Sequence, residues 1–209
     1  MSVLTAPTML TPMPVTPSPS STPQIYRFSV AQYHEMARLG ILTENDRVEL
    51  LEGMLVEQEM INPQHRRSVR KLSKVLARVV PAGWYDDVQQ PITLEDSVPE
   101  ADGMLIRGDP DQFPDRHPGA KDVGFVAEVS DSSLGEDRGW KKRVYARARI
   151  PSYWIVNLID RQVEVYTDPT GPAPQPDYRT RQDYGPTDAV PLVIDGREIA
   201  RILVSDLLP

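Results

Sequence analysis

The alternation of apolar and polar positions predicts a mixture of helices and strands from about residue 26 onward. The predicted elements, in chain order, are a helix at 30–39 between Ser29 and Gly40, two short strands within 48–60 that turn at Gly53, a helix from about 65 to 80, strands at 85–94, 101–107 and 123–130, a helix at 137–149, a hairpin at 152–158 and 162–167, and further strands toward the end. This order indicates a mixed α/β or α+β domain with one central sheet.

The predicted helix at 65–80 has two contrasting faces when its residues are placed 100° apart. The apolar face comprises Val69, Leu72, Val75, Leu76, Val79 and Val80. The cationic face comprises Arg66, Arg67, Arg70, Lys71, Lys74 and Arg78, and no acidic residue lies between His65 and Val80. Two interpretations stay open: a solvated face that balances acids elsewhere, or a face that follows the phosphates of a polyanion.

The first 24 residues differ from the rest of the chain. They contain six prolines and many threonines and serines, and the first charged residue is Arg27. Because proline fixes φ and lacks an N–H donor, neither helix nor sheet is favoured there. We therefore expect a disordered tail at 1–24, followed by one domain at 25–209.

Composition and charge narrow the classes of function. The 209 residues include no cysteine, which excludes disulfides, thiolate nucleophiles and zinc sites with cysteine ligands. The lack of cysteine also fits a reducing compartment, so we expect a cytoplasmic protein. No apolar run approaches the roughly 18 residues of a membrane helix, so no membrane partner is expected. A formal net charge of −7 argues against indiscriminate coating of nucleic acid but permits local basic faces.

Two acidic residues stand in apolar surroundings. Asp102 directly precedes the apolar segment 103–106, and Glu128 interrupts an otherwise apolar strand. A carboxylate in such a strand is costly to ionise unless a lysine, an arginine or a metal ion compensates it. Two carboxylates on neighbouring strands would form a hard-oxygen site that suits Mg²⁺ or Mn²⁺.

Helical spacing distinguishes the two adjacent lysines that follow these strands. Lys141 shares an arc with Val144 and Tyr145, whereas Lys142 falls on a solvent-facing arc. Lys141 is therefore the lysine that could reach Glu128. The pair could serve catalysis or be a purely structural salt bridge, and the spacing alone favours neither.

Four segments in this order resemble the Uma-type family of bacterial restriction endonucleases, within the PD-(D/E)XK nuclease superfamily. The segments are Pro99-Glu-Ala-Asp102, Val126-Ala-Glu-Val-Ser130, Asp137-x-x-x-Lys141-x-x-x-Tyr145 and Ile150-Pro-Ser-Tyr-Trp154-Ile-Val156. The resemblance covers about residues 26–208. It implies a restriction-endonuclease-like fold, in which helices flank a central mixed sheet.

The resemblance also implies roles for individual residues. Asp102 and Glu128 would bind the cation, and the backbone carbonyl of Val129 would be a third ligand. The superfamily lysine usually lies two residues after the second acid, where this chain has Ser130, so Lys141 would replace it from the following helix. Glu49 would help to hold a second cation, or it is an acid on an exposed strand face.

We therefore expect a Mg²⁺- or Mn²⁺-dependent nuclease that hydrolyses phosphodiester bonds in DNA, with Asp102, Glu128 and Lys141 as catalytic residues. The cationic helix face would bind the DNA backbone, and a homodimer is a further expectation. Two alternatives stay open: a catalytically silent nucleic-acid-binding module on the same fold, and a structural dimer in which Glu128 and Lys141 form only a buried ion pair.

Three further residues carry simpler expectations. His65 is expected to cap its helix or to be exposed, in preference to lying at the site. Asp137 is expected to cap the helix that carries Lys141, because an acid is favoured at a helix start. Trp154, together with the tyrosine before it, is expected to pack in the core.

Overall fold

The helices and strands are taken from a computed structural model that describes residues 24–43, 45–58 and 60–209. The tail predicted at 1–24 lies outside the described residues apart from Gln24. The helices are α1 (Val30–Arg38), α2 (Pro63–Val79), α3 (Leu134–Glu136) and α4 (Lys142–Arg147). The strands are β1 (Val48–Leu51), β2 (Met54–Glu57), β3 (Trp84–Asp87), β4 (Gln90–Pro91), β5 (Glu100–Ala101), β6 (Gly103–Arg107), β7 (Val123–Ser130), β8 (Ser152–Asn157), β9 (Gln162–Pro169), β10 (Tyr178–Tyr184), β11 (Ala189–Ile194) and β12 (Arg197–Leu203). None of the helices in this described part is long and apolar enough to cross a membrane.

Six strands form the central sheet, in the order β10-β9-β8-β7-β6-β3. The pair β7–β8 is parallel and the other neighbours are antiparallel. Parallel neighbours need a crossover connection, and α3 and α4 supply it between β7 and β8. The predicted fold class, a central mixed sheet flanked by helices, is confirmed.

Hydrophobic clusters cover both faces of this sheet. On one face, α2 and the β11–β12 hairpin pack against side chains that include Trp154 and Phe125, whose rings meet edge to face at 4.9 Å. On the other face, Val144 and Tyr145 of α4 pack against β6, β7 and β8. Trp154 and Tyr153 are both fully buried, so their predicted core packing is confirmed.

The start of α2 is held close to β6 by local chemistry. The Asn62 side chain caps the helix by accepting hydrogen bonds from the backbone N–H groups of Gln64 and His65. Pro63 occupies the first turn, where its missing N–H costs nothing. A Cβ on Gly103 would lie 2.7 Å from a Leu72 methyl carbon, so only glycine permits this close helix–sheet approach. The approach brings the first turn of α2 to the edge of the sheet beside Asp102.

Two predicted elements differ from the structure. The strand expected at 85–94 divides into β3 and β4, because Gln89 adopts a positive φ of 51° that interrupts the extended backbone. The helix expected at 137–149 begins at Leu134 and ends at Arg147, and a π-helical turn at Asp137–Lys141 joins α3 to α4. Such turns are rare and occur frequently at functional sites.

Candidate active site

A cleft at the end of β7 brings the predicted site residues together. Asp102, Glu128, Val129 and Lys141 line it, and Glu49 of β1 also faces it. Asp102 lies between β5 and β6, Glu128 lies within β7, and Lys141 ends the π-helical turn. Residues far apart in sequence thus meet where adjacent strands and the crossover helix converge.

Glu128 and Lys141 are paired inside the protein. Lys141 Nζ lies 3.2 Å from Glu128 Oε1 and also donates to the backbone carbonyl of Glu100 at 3.0 Å. The Tyr145 hydroxyl donates to the same Glu128 oxygen at 2.7 Å. Glu128 is only 2% exposed and Lys141 only 8%. Both groups donate to Oε1 of Glu128, and neither donates to its Oε2.

Asp102 shows the same one-sided arrangement. The backbone N–H of Val129 donates to Asp102 Oδ2 at 2.9 Å. His65 Nε2 lies 3.1 Å from the same oxygen. Neither group contacts Oδ1, so in each of the two predicted metal-binding acids the hydrogen bonds from the described residues all fall on one oxygen.

His65 lies in the candidate site, and the expectation that it caps a helix or is exposed was wrong. Asn62 provides the cap, while the His65 ring lies on Asp102 and lines the cleft. Its Nδ1 atom is buried without a hydrogen-bond partner in the described part of the chain. Burial acts to lower the pKa of His65, but the hydrogen bond and charge of Asp102 raise it overall. Helical spacing could have predicted the inward position of His65, because His65 shares the apolar face of the helix with Val69 and Leu72 at i+4 and i+7.

Glu49 is buried, so its interpretation as an acid on an exposed strand face was wrong. Its Oε2 accepts the backbone N–H of Glu100 at 2.9 Å. Its Oε1 lies 3.4 Å from Lys141 Nζ. Both oxygens of Glu49 therefore have protein partners, and its position favours holding the Lys141 ammonium over binding a second cation.

Asp137 does not cap a helix, contrary to expectation. It lies one turn beyond the start of α3, and its buried Oδ2 accepts hydrogen bonds from Ser130 Oγ at 2.6 Å and Ser133 Oγ at 2.8 Å. The π-helical turn has Asp137 and Lys141 at its two ends, and both side chains are buried. Asp137 thus adds a further carboxylate to the cleft.

Negative charge exceeds positive charge at this site. Burial raises the pKa of Glu128 well above its usual value; Asp137 and Asp102 act in the same direction, and Lys141 opposes them. Burial alone would lower the pKa of Lys141, but Glu128, Glu49 and the more distant acids raise it well above its usual value. The site therefore holds its lysine charged and has capacity for additional positive charge.

The donor set fits a hard cation that keeps part of its water shell. Among the described residues, no three histidine or acidic groups converge closely enough to enclose a metal ion. Mg²⁺, however, is commonly held by one or two carboxylates plus waters. Asp102 and Glu128 each have an oxygen outside the bonds described above, and the surrounding charge is negative. Oxygen ligands without sulfur also match the preference of Mg²⁺ and Mn²⁺.

The cationic face of α2 begins beside this cleft. Arg66, Arg67, Arg70, Lys74 and Arg78 are exposed, and no ion pair holds any of them within the described residues. Lys71 differs, because its Nζ donates to the backbone carbonyls of Ser205 and Leu208 near the end of the chain. Five of the six predicted nucleic-acid-binding residues are therefore open to a polyanion, and Lys71 already has protein partners.

Comparison with known proteins identifies the family of this chain. The family model described as Uma2, putative restriction endonuclease, matches residues 30–200. The chain belongs to this family. The Uma2 resemblance found in the sequence is thereby confirmed, and a restriction-endonuclease-like nuclease is the class of protein that the family description suggests.

A solved structure shares the fold of this Uma2-family chain. It is the crystal structure of a protein from Anabaena variabilis described as a putative nuclease belonging to DUF820. The two are 15% identical with a TM-score of 0.58, and the similarity covers 81% of this chain and 94% of the other. No curated protein matches the chain.

A second charge cluster holds the helix that carries Lys141 in this Uma2-family chain. Glu52, in the β1–β2 turn, accepts hydrogen bonds from Trp140 Nε1 at 2.9 Å and from Arg143 Nε at 2.8 Å. Arg147 donates to the same carboxylate. Arg143 first, and then Trp140 and Arg147, outweigh partial burial and lower the pKa of Glu52 to about 2.

Glu52→Gln is expected to reduce the acid sensitivity of the folded state. The pKa of Glu52 is lower when folded, so its contribution of ~2 kcal/mol is complete above pH ~4.5 and is lost as pH falls toward about 2. The variant should therefore be less stable at neutral pH, with a shallower decline in unfolding free energy over that window. Urea unfolding at several pH values measures this, and Glu95→Gln, at an exposed bend, is the control. Parallel pH profiles for wild type and Glu52→Gln would contradict the prediction.

Proposed function

We propose that this protein is a Mg²⁺- or Mn²⁺-dependent nuclease that hydrolyses phosphodiester bonds in DNA. One observation carries the proposal: Asp102 and Glu128 face one cleft, and each receives the described protein donors on a single oxygen. Membership of the Uma2 family supports the nuclease class. The cation and the DNA substrate are our own inference from the site.

Asp102, Glu128 and the backbone carbonyl of Val129 would hold the cation. When bound, it would polarise the scissile phosphate and lower the pKa of a water molecule. The acidic cleft would repel a bare phosphate, so the cation would also allow the substrate to approach. Glu49 would hold Lys141 in place and would not bind a cation. A single cation, held by Asp102 and Glu128, would then serve the site.

Lys141 would act on the attacking water or on the charge that develops on the phosphate. Its ammonium is fixed by Glu128, Glu49 and the Glu100 carbonyl, so it would need little reorganisation during the reaction. Arg66, Arg67, Arg70, Lys74 and Arg78 would bind the DNA backbone beside the cleft, and such phosphate contacts position a substrate without reading its sequence.

The first test is plasmid nicking in Mg²⁺ by the wild type and by Asp102→Ala and Glu128→Ala. We expect each variant to cleave about 100- to 1000-fold more slowly, because each lacks a carboxylate that would hold the cation acting on the phosphate. Asp111→Ala, at an exposed acid in a 3-10 turn, is the matched control and should cleave normally. Calorimetric titration with Mn²⁺ should show binding heat for the wild type and its loss in the two site variants. Equal nicking by all four proteins would exclude the proposed site.

A catalytically silent nucleic-acid-binding module is the second candidate. It is favoured by the lack, among the described residues, of three metal-binding groups close together, and by Lys141 being engaged in an internal ion pair. This alternative predicts salt-sensitive DNA binding with no Mg²⁺-dependent nicking. The homodimer expected from the sequence stays a prediction.

A further inference from the structure

The connection between β2 and α2 exposes two apolar side chains at the rim of the cleft. Met60 is 84% exposed and Ile61 37% exposed. Ile61 lines the cleft that contains Asp102, and it also lines the neighbouring groove formed with Arg66 and Arg70. The two apolar residues therefore lie between the proposed catalytic groups and the start of the cationic face.

Phosphate binding does not account for these apolar side chains. The phosphates of a duplex face outward and would meet the arginines of α2, so a methionine and an isoleucine at the same surface would gain nothing from them. Apolar side chains in nucleic-acid interfaces contact base faces, and methionine and isoleucine are among the residues that insert between bases. Bases are accessible in this way only where the strand is unpaired or unstacked.

The depth of the proposed catalytic groups leads to the same conclusion. Glu128 and Lys141 are almost fully buried at the bottom of the cleft, whose volume is about 90 Å³. That volume is on the scale of a few water molecules. One phosphodiester group matches this scale, whereas a stacked duplex is wider than the bottom of the cleft. A strand freed from its partner can bend its backbone into the cleft without the cost of breaking base pairs.

We propose that Met60 and Ile61 pack against unpaired bases next to the scissile phosphate, so that the site takes DNA that is single-stranded at the cleft. This inference rests on the proposed function and specifies its substrate. The charges agree with it, because Arg66, Arg67 and Arg70 begin immediately beyond Ile61 and can hold the phosphates of the same strand. From Arg66 to Arg78, the cationic face extends about 18 Å away from the cleft.

The test measures binding of a fluorescently labelled oligonucleotide of mixed sequence, either alone or annealed to its complement. Binding is followed by anisotropy with the full chain in Ca²⁺ in place of Mg²⁺, so that a hard cation neutralises the acidic cleft without the Mg²⁺ that would support cleavage. The double variant Met60→Ser with Ile61→Ser should bind the single strand about tenfold more weakly and the duplex with nearly unchanged affinity. Met60 is mostly exposed and Ile61 is partly exposed, so the variant should stay folded, and its thermal unfolding is measured beside that of the wild type.

The matched control removes two apolar side chains elsewhere whose combined exposure is similar. Leu39 and Ile41, at the end of α1, are 58% and 61% exposed, and their replacement by serine should change neither affinity. An equal effect of the Met60/Ile61 variant on both oligonucleotides, or no effect on either, would overturn this inference and leave the nuclease proposal standing. A wild type that binds neither oligonucleotide would overturn both.

Discussion

Lys141→Met is expected to lower the free energy of unfolding by about 3–5 kcal/mol at neutral pH without added metal. Methionine preserves most of the side-chain volume but removes the ammonium that lies 3.2 Å from Glu128 and 3.4 Å from Glu49. Both acids are buried, and Asp137 adds further negative charge nearby. Urea unfolding followed by circular dichroism measures the loss.

The neighbouring lysine provides the control. Lys142 differs by one position, and its partly buried ammonium pairs with the exposed Asp177 at 2.8 Å, where both groups keep contact with solvent. Lys142→Met should therefore cost only about 1 kcal/mol, because Asp177 stays solvated when its partner is removed. A similar loss of unfolding free energy in both variants would mean that Lys141 does not stabilise the buried acids more than an ordinary ion pair would.

The pH dependence of the Lys141→Met variant has a defined sign. Burial already raises the folded-state pKa of Glu128 above its usual 4.5, and loss of the lysine removes the opposing effect. The folded variant then binds more protons than the unfolded chain, so its stability deficit should grow as pH rises above about 4.5. Adding Glu128→Gln to the variant should recover part of the loss, because the unpaired carboxylate is then gone.

The second large effect concerns DNA binding by α2. Replacing Arg66, Arg67 and Arg70 together with glutamine is expected to weaken duplex binding roughly 100-fold at low salt. The slope of log affinity against log salt concentration should become shallower by about 2–3, because each lost phosphate contact no longer releases a counterion. Anisotropy titrations at several salt concentrations measure both quantities. Folding should be unaffected, since like charges along this helix already repel one another.

A second triple variant with the same change in net charge distinguishes the effect of the helix face on DNA affinity from the effect of the protein's net charge. Lys121, Arg161 and Arg197 are exposed on other elements and are in no ion pair within the portion of the chain that the structure describes. Their replacement by glutamine changes the formal net charge by the same amount. An equal loss of affinity in this control would show that overall charge, and not the α2 face, governs binding.

Local patterns in the sequence were sufficient to predict much of the fold. The two faces of α2 follow from the helical period alone, and Leu72 and Leu76 are buried as that period requires. The same reasoning correctly turned Lys141 toward Glu128, because the residues at i+3 and i+4 from it are apolar. The parallel β7–β8 pair needs a crossover, and the order of elements in the chain already supplied one.

The sequence thus determined what depends on neighbours along the chain: which segments form helices and strands, which faces are buried, and which acids lie in apolar strands. Tertiary structure decided how distant groups are paired. It brought His65 onto Asp102, buried Glu49 against Lys141, and engaged Lys71 with the end of the chain. These contacts depend on how closely α2 approaches the sheet and on the π-helical turn before α4. Packing of complete elements fixes both, and no local pattern of residues encodes the resulting distances.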